Sequence, residues 1–483
     1  MTQAPPWDSV PSRDTLFVLV TGANSGIGLG ICQRLIDEYL LTRSLTSHLV
    51  IIPTTRSVRK SQETERALRK HARQFAATSD LLRSRAGGPD YDPKQATKRV
   101  HILSVELDLC NLPSIRLAAE RLINDTFSNL CGADEGDADF TKLVDVKIPR
   151  LDAVIFNAGI GGWTGLDWPL VFHNILTRGL VQATTWPTFK GARGGHTVNP
   201  LACTSKEKKT EPLMGEVFCA NVFGHYLFAH MLLPLLRRSA EEEDREIRPG
   251  RIIWEGSIEP VWGDLRLDDF QAVKTKAAYE STKRLTDVLC LTAALPGSWP
   301  YVQEYLDYGN NNKKTETTTP PKIYLTHPGV VQTTLFPLNA FMFFWYRVVL
   351  YIARFLGSPW HLITAYNGAC APVWLALQPQ DALDAAKAEK SKWGSSTDRW
   401  GRCRVKKTEV EGWGWDGAVE DKSKDADTSV VLRKGVGRKY GAVDLTEERR
   451  VEFEELGAKC WKEMERLREE WEARMKSLTT SSH

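Results

Sequence analysis

Short apolar runs alternate with amphipathic stretches over the first two thirds of the chain, and this alternation predicts buried strands separated by helices. Predominantly apolar runs occupy residues 15–20, 48–56, 99–109, 151–159, 250–257 and 322–329. Runs of this length are typical of strands that are covered on both faces, as in a parallel sheet. Helical periodicity follows at residues 29–40, 218–236 and 277–295. We therefore predict an α/β fold, a Rossmann-like doubly wound parallel sheet with helices on both faces.

Three insertions interrupt this predicted core, which covers residues 15–335 after an N-terminal tail at 1–14. The insertion at 57–98 is basic and is expected to be helical, and a solvated face is a better interpretation of its charge than a binding patch. The insertions at 187–215 and 297–321 are rich in Gly, Thr, Asn, Pro and Lys. This composition predicts surface loops.

The amino-acid composition changes at two points in the last third of the chain, near residues 336 and 380. Residues 336–379 begin with an aromatic, apolar stretch that Arg347 and Arg354 divide, so its uncharged run is too short to span a bilayer. We expect this segment to lie on a membrane surface or to cover the substrate as a lid. Residues 380–483 form a charged extension, and apolar positions spaced by three and four predict an amphipathic helix at 444–477. That helix could pack on the core or on a partner.

Composition narrows the class of protein. A chain of 483 residues with 42% apolar residues can bury a sizeable core. Its net charge of +3 gives no reason to expect a nucleic-acid partner. The nine cysteines are scattered and contain no CxxC pair, which suits a reducing compartment and predicts no zinc site. The N-terminus lacks the basic start and apolar run of a signal peptide.

A glycine-rich turn follows the first predicted strand. In the stretch TGANSGIG, Gly22, Gly26 and Gly28 open a helix, which lets the backbone approach a pyrophosphate at the positive helix N-terminus. At the end of the second strand, Thr55 and Arg56 stand where an acid would bind the ribose 2′-hydroxyl of NAD. A guanidinium there favours the 2′-phosphate of NADP, although Arg56 could also simply begin the basic insertion.

The stretch YESTK places Tyr279 and Lys283 four residues apart, on one face of a helix. An ordinary amphipathic helix would also explain this spacing, but a nearby cation favours the phenolate and so makes the tyrosine a better acid. Hydride addition to a ketone needs such an acid and a hydroxyl that orients the carbonyl, and Ser257 can supply the hydroxyl without any metal. His225 and His230, on a long apolar helix, are expected to be packed or capped rather than to bind a metal.

With TGANSGIG, Asp108, the NAG stretch that begins at Asn157, Asn221, Ser257 and YESTK in this order, the chain resembles the short-chain dehydrogenase/reductase family. The resemblance implies that Tyr279 is the general acid, that Lys283 lowers its pKa and holds the nicotinamide ribose, and that Ser257 polarises the substrate carbonyl. It implies that Asn221 completes a proton relay. The cofactor-binding residues that it implies are Gly22, Asn24, Ser25, Gly26, Ile27, Gly28, Thr55, Arg56, Asp108, Leu109, Asn157, Ala158, Gly159, Tyr279, Lys283, Pro328, Val331 and Thr333.

Ser257 and Tyr279 are 22 residues apart, further than is common in the family, so the intervening segment must fold away from the site. A finer resemblance is to the fungal 3-keto-steroid reductases, through GIGGWTGLDWP, ATTWPTFK and FLGSPWHLITAYNGACAPVW. It implies NADPH-dependent reduction of the 3-keto group of a sterol C-4 demethylation intermediate to the 3β-hydroxyl, in ergosterol biosynthesis. Phe341, Phe343 and Phe344 would then form an apolar wall for the sterol.

The same resemblance implies a peripheral location on the cytosolic face of the endoplasmic reticulum membrane, on lipid droplets, or both. The expected partners are a sterol ketone and a membrane surface, with no nucleic acid. The resemblance also allows a homodimer and contacts with other enzymes of sterol C-4 demethylation. Two other functions stay open: reduction of another bulky apolar ketone, and a non-catalytic NADPH-binding scaffold. The intact Ser257, Tyr279 and Lys283 argue against the scaffold, because such a protein has no chemical need for all three.

Overall fold

A mainly parallel sheet forms the centre of the molecule. The computed structural model describes residues 4–129, 139–202, 204, 206–239, 248–308, 318–333, 339–419 and 437–480. Within these residues nine strands join in one sheet, and all but the last strand of the chain run parallel to their neighbours. From one edge the order is Cys403–Thr408, Lys392–Thr397, Lys322–His327, Arg251–Glu255, Ala153–Phe156, Thr15–Val20, His48–Thr55 and Val100–Ile102, with Val105–Glu106 also paired to His48–Thr55.

Helices cover both faces of this sheet, as the apolar strands predict. The helices are Gly26–Thr42, Val58–Thr78, Asp80–Arg85, Pro93–Thr97, Leu112–Asn124, Trp168–Arg178, Leu180–Thr185, Glu216–Phe218, Gly224–Met231, Leu233–Leu236, Ala278–Thr292, Trp299–Tyr305, Ala340–Phe355, Ala365–Gly368, Cys370–Leu377, Gln380–Ala385 and Glu447–Thr480. Two apolar clusters result, one including Phe223 and Leu285 and the other Ile31 and Leu35. The predicted doubly wound α/β fold is therefore confirmed.

In the described part of the chain, four short two-stranded ribbons lie outside the central sheet. They pair Trp163–Leu166 with Lys190–Ala192, Thr197–Val198 with Met214–Gly215, Arg238–Ser239 with Thr318–Thr319, and Val330–Val331 with His361–Ile363. The predicted strand at 99–109 is two short strands, Val100–Ile102 and Val105–Glu106, separated by the buried Leu103 and the half-buried Ser104. An apolar run indicates that its residues are buried, but it does not show where a strand is interrupted.

The sheet continues beyond residue 335, where the sequence places the end of the core. Lys392–Thr397 pairs with Lys322–His327, and Cys403–Thr408 pairs with Lys392–Thr397. Lys392 is buried, and its ammonium lies 2.7 Å from Asp287 in the helix Ala278–Thr292. The sequence assigns residues 392–397 and 403–408 to the charged extension that begins at 380, because these two strands contain few apolar residues.

The C-terminal helix Glu447–Thr480 packs back on the core rather than projecting towards a partner. The Trp461 indole donates to the Leu289 carbonyl at 3.1 Å, and the Tyr226 hydroxyl donates to Glu465 at 2.6 Å. The helix Trp299–Tyr305, with Val302 and Tyr305 buried, packs beside it. This part of the 297–321 insertion is not a surface loop, and its seven residues are too few for helical periodicity to show. The insertion at 57–98 is helical, as predicted.

Candidate active site

A groove of about 320 Å³ opens where the parallel strands end. Sixteen of the predicted cofactor-binding residues line it: Gly22, Asn24, Ser25, Gly26, Ile27, Thr55, Arg56, Asp108, Leu109, Asn157, Ala158, Gly159, Tyr279, Lys283, Pro328 and Thr333. Gly28 and Val331 do not line it. Ligands of doubly wound proteins bind in this position, outside the carboxyl ends of the strands. A larger cavity of about 550 Å³, beside Leu291 and Trp413, contains none of the predicted residues.

The glycine turn has the geometry of a pyrophosphate cradle. Gly22 has φ +67°, and a Cβ there would lie 2.9 Å from the Ala158 Cα, so only glycine fits. A Cβ on Gly28 would collide with the Gly22 carbonyl oxygen. Gly28 therefore allows the turn to pack on the helix and does not face the groove. At Gly26 the space is open, which leaves room for a phosphate at the helix N-terminus.

Thr21 fastens this turn to the NAG stretch. Its hydroxyl oxygen accepts hydrogen bonds from the N–H groups of Asn157 at 3.0 Å and Ala158 at 3.1 Å. The Asn157 side chain donates to the Thr21 carbonyl at 3.0 Å. The two predicted motifs, 136 residues apart, thus form one wall of the groove.

The polar residues at the end of the second strand lie in the groove as predicted. Arg56 is exposed, and Thr55 is buried with its hydroxyl 2.8 Å from Ser61. Asp108 accepts from the Cys110 N–H at 3.0 Å and lies 3.4 Å from the Lys208 ammonium. The end of the strand His48–Thr55 is therefore followed by the guanidinium of Arg56 and not by a carboxylate.

Tyr279, Lys283 and Ser257 converge at the other end of the site. The Lys283 ammonium donates to the Glu255 carbonyl at 2.6 Å and lies 5.8 Å from the centroid of the Tyr279 ring. Burial lowers the pKa of Lys283 to about 8, and the attraction of Glu255 and Asp287 only partly offsets this. Burial raises the pKa of Tyr279, Glu259 adds to the rise, and a hydrogen bond with Ser257 acts against it. The phenol is therefore protonated near neutral pH.

Most of the segment between Ser257 and Tyr279 folds away from the site, although Glu259, near its start, stays close to Tyr279. It contains the 3₁₀ turns Trp262–Asp264 and Leu267–Asp269 and buries Phe270. The Gln271 side chain accepts from the Gly215 N–H at 3.1 Å, which holds the segment against a neighbouring ribbon. The long spacing therefore leaves Ser257 beside Tyr279.

Asn221 lies behind the groove wall, in a π-helical turn at Cys219–Phe223. Its side-chain oxygen accepts from the Ile160 N–H at 2.8 Å, and its amide donates to Thr282 at 3.2 Å. A π turn inside a helix frequently marks a functional site. His225 contacts Thr21 at 2.9 Å and His230 contacts the Tyr305 carbonyl at 2.6 Å, so both histidines are packed as expected.

Several groove residues were not predicted from the sequence. They are Thr54, Leu107, Cys110, Ile160, Ala220, Glu255 and Gly256. Glu255 is the one with chemistry of its own, because it is an acid at the end of a buried strand. That placement is visible in the sequence as a carboxylate ending the run RIIWE.

A second cluster that was not predicted lies beside Tyr279. The buried Lys190 ammonium contacts Glu259, lies 2.7 Å from Glu280, and is 5.1 Å from the centroid of the Tyr279 ring. Burial opposes the ammonium, but the two carboxylates outweigh it and raise the pKa of Lys190. The Trp163 ring is 4.8 Å from that of Tyr279. This side of Tyr279 is therefore aromatic and charged.

The helix Ala340–Phe355, here called the aromatic helix, only partly matches the predicted apolar wall. Phe341 is 72% exposed and Phe344 is 59% exposed, so they face outwards and do not enclose a pocket. Tyr346, by contrast, is half-buried; burial raises its pKa, and the nearby Glu259 adds to the rise. Helical geometry separates these side chains, whereas the sequence shows one continuous aromatic run. No helix within the described ranges is both long and apolar enough to traverse a bilayer.

The chain is similar to known proteins over nearly its whole length, not only at the residues of the groove. A 3-keto-steroid reductase of Gibberella zeae is 51% identical over 469 residues, covering 97% of this chain and 96% of that protein. One of Aspergillus fumigatus is 42% identical, with 95% and 94% covered. One of Saccharomyces cerevisiae is 28% identical, with 81% and 89% covered.

Two further comparisons add nothing to the assignment. No family model matches the chain. Among solved structures, a 3-oxoacyl-[acyl-carrier protein] reductase from Brucella melitensis in complex with NAD matches with a TM-score of 0.37 at 14% identity, covering 75% of this chain and 89% of that chain. A likeness this low supports no inference.

Proposed function

The chain belongs to the family of fungal 3-keto-steroid reductases, and we propose that it reduces the 3-keto group of a sterol to the 3β-hydroxyl with NADPH. The substrate would be an intermediate of sterol C-4 demethylation in ergosterol biosynthesis. The observation that carries the proposal is that Tyr279 and Lys283 line the same groove as the glycine turn, with Ser257 hydrogen-bonded to Tyr279.

The residues fit a nicotinamide dinucleotide. The open space at Gly26, the free approach that Gly22 allows, and the helix N-terminus behind them would hold the pyrophosphate. Arg56 would bind the 2′-phosphate with charge-assisted hydrogen bonds, which favours NADPH over NADH. When bound, the reduced cofactor supplies the hydride.

The protein's own residues then manage the charge that develops on the carbonyl oxygen. The Ser257 hydroxyl donates a hydrogen bond that orients this oxygen, and Tyr279 donates a proton to it. The raised pKa of Tyr279 keeps the proton in place until it is needed. The Lys283 ammonium stabilises the resulting phenolate, because an opposite charge nearby favours the ionised form. Asn221 holds the turn that carries Ile160 and so shapes the wall opposite Tyr279.

We also propose that the protein works at a membrane surface, on the endoplasmic reticulum or lipid droplets, where a sterol can enter from lipid. The support is an exposed apolar surface. Phe341, Phe344 and Trp345 of the aromatic helix are exposed, as are Phe172 and Leu176 of the helix Trp168–Arg178. Aromatic side chains of this kind favour the membrane interface.

Tyr279→Phe tests the catalytic part of the proposal. The variant should lose most of its turnover, by about 10²- to 10⁴-fold, because a positioned general acid contributes that much. Its affinity for NADPH should stay within about twofold, since the phenol holds a proton and not the phosphates. Tyr440→Phe, at an exposed tyrosine, is the control and should behave as the wild type. Retention of substantial turnover by Tyr279→Phe across the pH range would refute the proton-donor assignment.

A further inference from the structure

Glu255 is a buried acid with unusual surroundings. It ends the strand Arg251–Glu255, is 4% exposed, and lines the groove beside Tyr279 and Lys283. Among the described residues, neither of its carboxyl oxygens has a hydrogen-bond partner. Thr326, its partner in the parallel register, also has a buried hydroxyl without a partner in the described chain. At this end of the groove, a residue of its lining thus carries a buried carboxyl group that the rest of the described chain does not satisfy.

Such a carboxyl is expected to be neutral when no cationic ligand occupies the groove, even with the Lys283 ammonium nearby. An ionised carboxylate without hydrogen bonds is costly to bury, so the group keeps its proton instead. Burial raises the pKa of Glu255 to about 8, and the Lys283 ammonium only partly counters this. The backbone of Glu255 is fixed independently, because its carbonyl accepts the 2.6 Å hydrogen bond from Lys283.

The other charged groups around Glu255 are largely compensated. Asp287 lies close by, with one carboxylate oxygen 3.2 Å from the position of a Cβ on Gly256, but it is paired with Lys392 at 2.7 Å. On the neighbouring strand, burial keeps the pKa of His327 well below its ordinary value, so that ring is neutral. On the Ala278–Thr292 helix, the Tyr279 phenol is protonated and Lys283 supplies the facing cation. A new charge in the groove would therefore act strongly on Glu255.

We propose that the protonation state of Glu255 depends on the oxidation state of the cofactor. The carboxyl group keeps its proton beside the reduced, uncharged nicotinamide and loses it beside the oxidised, positively charged ring. This inference rests on the proposed function, because the nicotinamide must lie at the Tyr279 end of the groove for hydride to reach the carbonyl. Proton loss from Glu255 and binding of the oxidised cofactor are linked, so a change in pH shifts the affinity in a predictable direction. Binding of the oxidised cofactor releases a proton from the carboxyl, so its affinity rises with pH and levels off above the pKa of the free protein.

The consequence is a bias towards the reduced cofactor at neutral pH. There the oxidised form must displace a proton from Glu255 before it gains a counter-ion, whereas the reduced form binds without this cost. The oxidised cofactor left after each turnover would accordingly be released more readily at lower pH. Glu255 thus acts as a specificity-determining residue for the oxidation state of the cofactor.

Proton release on cofactor binding tests this directly. In weakly buffered solution at about pH 7, saturating NADP⁺ should release a fraction of a proton that approaches about one per site, and NADPH should release none. Glu255→Gln should remove most of the release, leaving only what Lys283 contributes with its pKa of about 8, and should weaken the pH dependence of NADP⁺ binding. Its Kd for NADP⁺ should rise roughly tenfold at about pH 8, with that for NADPH within about twofold. Glu259→Gln, at an acid paired with Lys190, and Tyr279→Phe should both retain the release.

The outcomes separate the two proposals. Release that persists undiminished in Glu255→Gln, or disappears in Tyr279→Phe, would overturn the role of Glu255 while leaving the reductase function intact. Failure of the wild type to bind either cofactor would instead overturn the proposed function. Infrared difference spectra of the wild type need no variant to fold: NADP⁺ should remove the carbonyl band of a protonated carboxylic acid. An unchanged band would contradict the proposal.

Discussion

Replacing Arg56 by alanine should separate the two nicotinamide cofactors. Arg56 lines the groove at the end of the strand His48–Thr55, where no carboxylate competes for the ribose. A hydrogen bond to a charged group contributes about 1.5–3 kcal/mol, which corresponds to roughly 10- to 150-fold in affinity. Because Arg56 is exposed, solvent and salt screen its charge, and we expect the lower end of this range. The Kd for NADPH should therefore rise about tenfold, and that for NADH should change by less than about twofold.

Titration of the cofactor's fluorescence at low and moderate salt measures both affinities. Arg59→Ala is a matched control, because Arg59 lies three residues further on, is highly exposed, and is not among the residues that line the groove. It should leave both affinities unchanged. The NADPH effect of Arg56→Ala should also shrink as salt rises, since a screened charge contributes less. An equal loss for both cofactors, or an equal effect of Arg59→Ala, would refute the assignment of Arg56 to the 2′-phosphate.

Two other predictions concern the core and the surface. Lys392→Met leaves Asp287 buried without its partner, and should lower the free energy of unfolding by about 3–5 kcal/mol in urea titrations. Lys322→Met, which removes two partly exposed ion pairs from the adjacent strand, should cost under about 1 kcal/mol; similar losses would contradict the inclusion of residues 392–397 in the core. Trp345→Ser should weaken binding to anionic vesicles in flotation assays, whereas Leu117→Ser, at an equally exposed residue on another helix, should not. Equal binding of both variants would argue against the aromatic helix as the membrane contact.

The parts of the fold that the sequence predicts are those that local burial determines. The strand Thr15–Val20 and the helix that follows it are contiguous, apolar and marked by a glycine turn, so one short stretch contains the whole signal. The strand Lys392–Thr397 has no such signal. Its place in the sheet is accompanied by a buried ion pair between Lys392 and Asp287, which is 105 residues away. Such a pair cannot be inferred from a local sequence pattern.

The residues of the site also fall into two groups, those that a local sequence pattern predicts and those that only the folded chain brings together. The residues of YESTK and TGANSGIG stand in fixed local geometry, and the structure brings both to one groove. Lys190 was missed because its importance depends on Glu259 and Glu280, which approach it only in the folded chain. Phe341 and Phe344 were assigned to an apolar wall, but the rotation of a helix determines which side chains face inwards. That rotation is fixed by packing and cannot be read from an all-aromatic run.

Product analysis with a single labelled hydride tests the account most directly. The purified protein is incubated in detergent or lipid with a 3-keto sterol and NADPH deuterated on the transferred position, and the sterol is analysed by mass spectrometry. We predict a 3β-hydroxysterol that carries one deuterium at C3, with the sterol reduced at a higher kcat/KM than a small ketone, and about 10²- to 10⁴-fold slower product formation by Tyr279→Phe. Absence of deuterium at C3, or a small ketone reduced as efficiently as the sterol, would contradict the assignment.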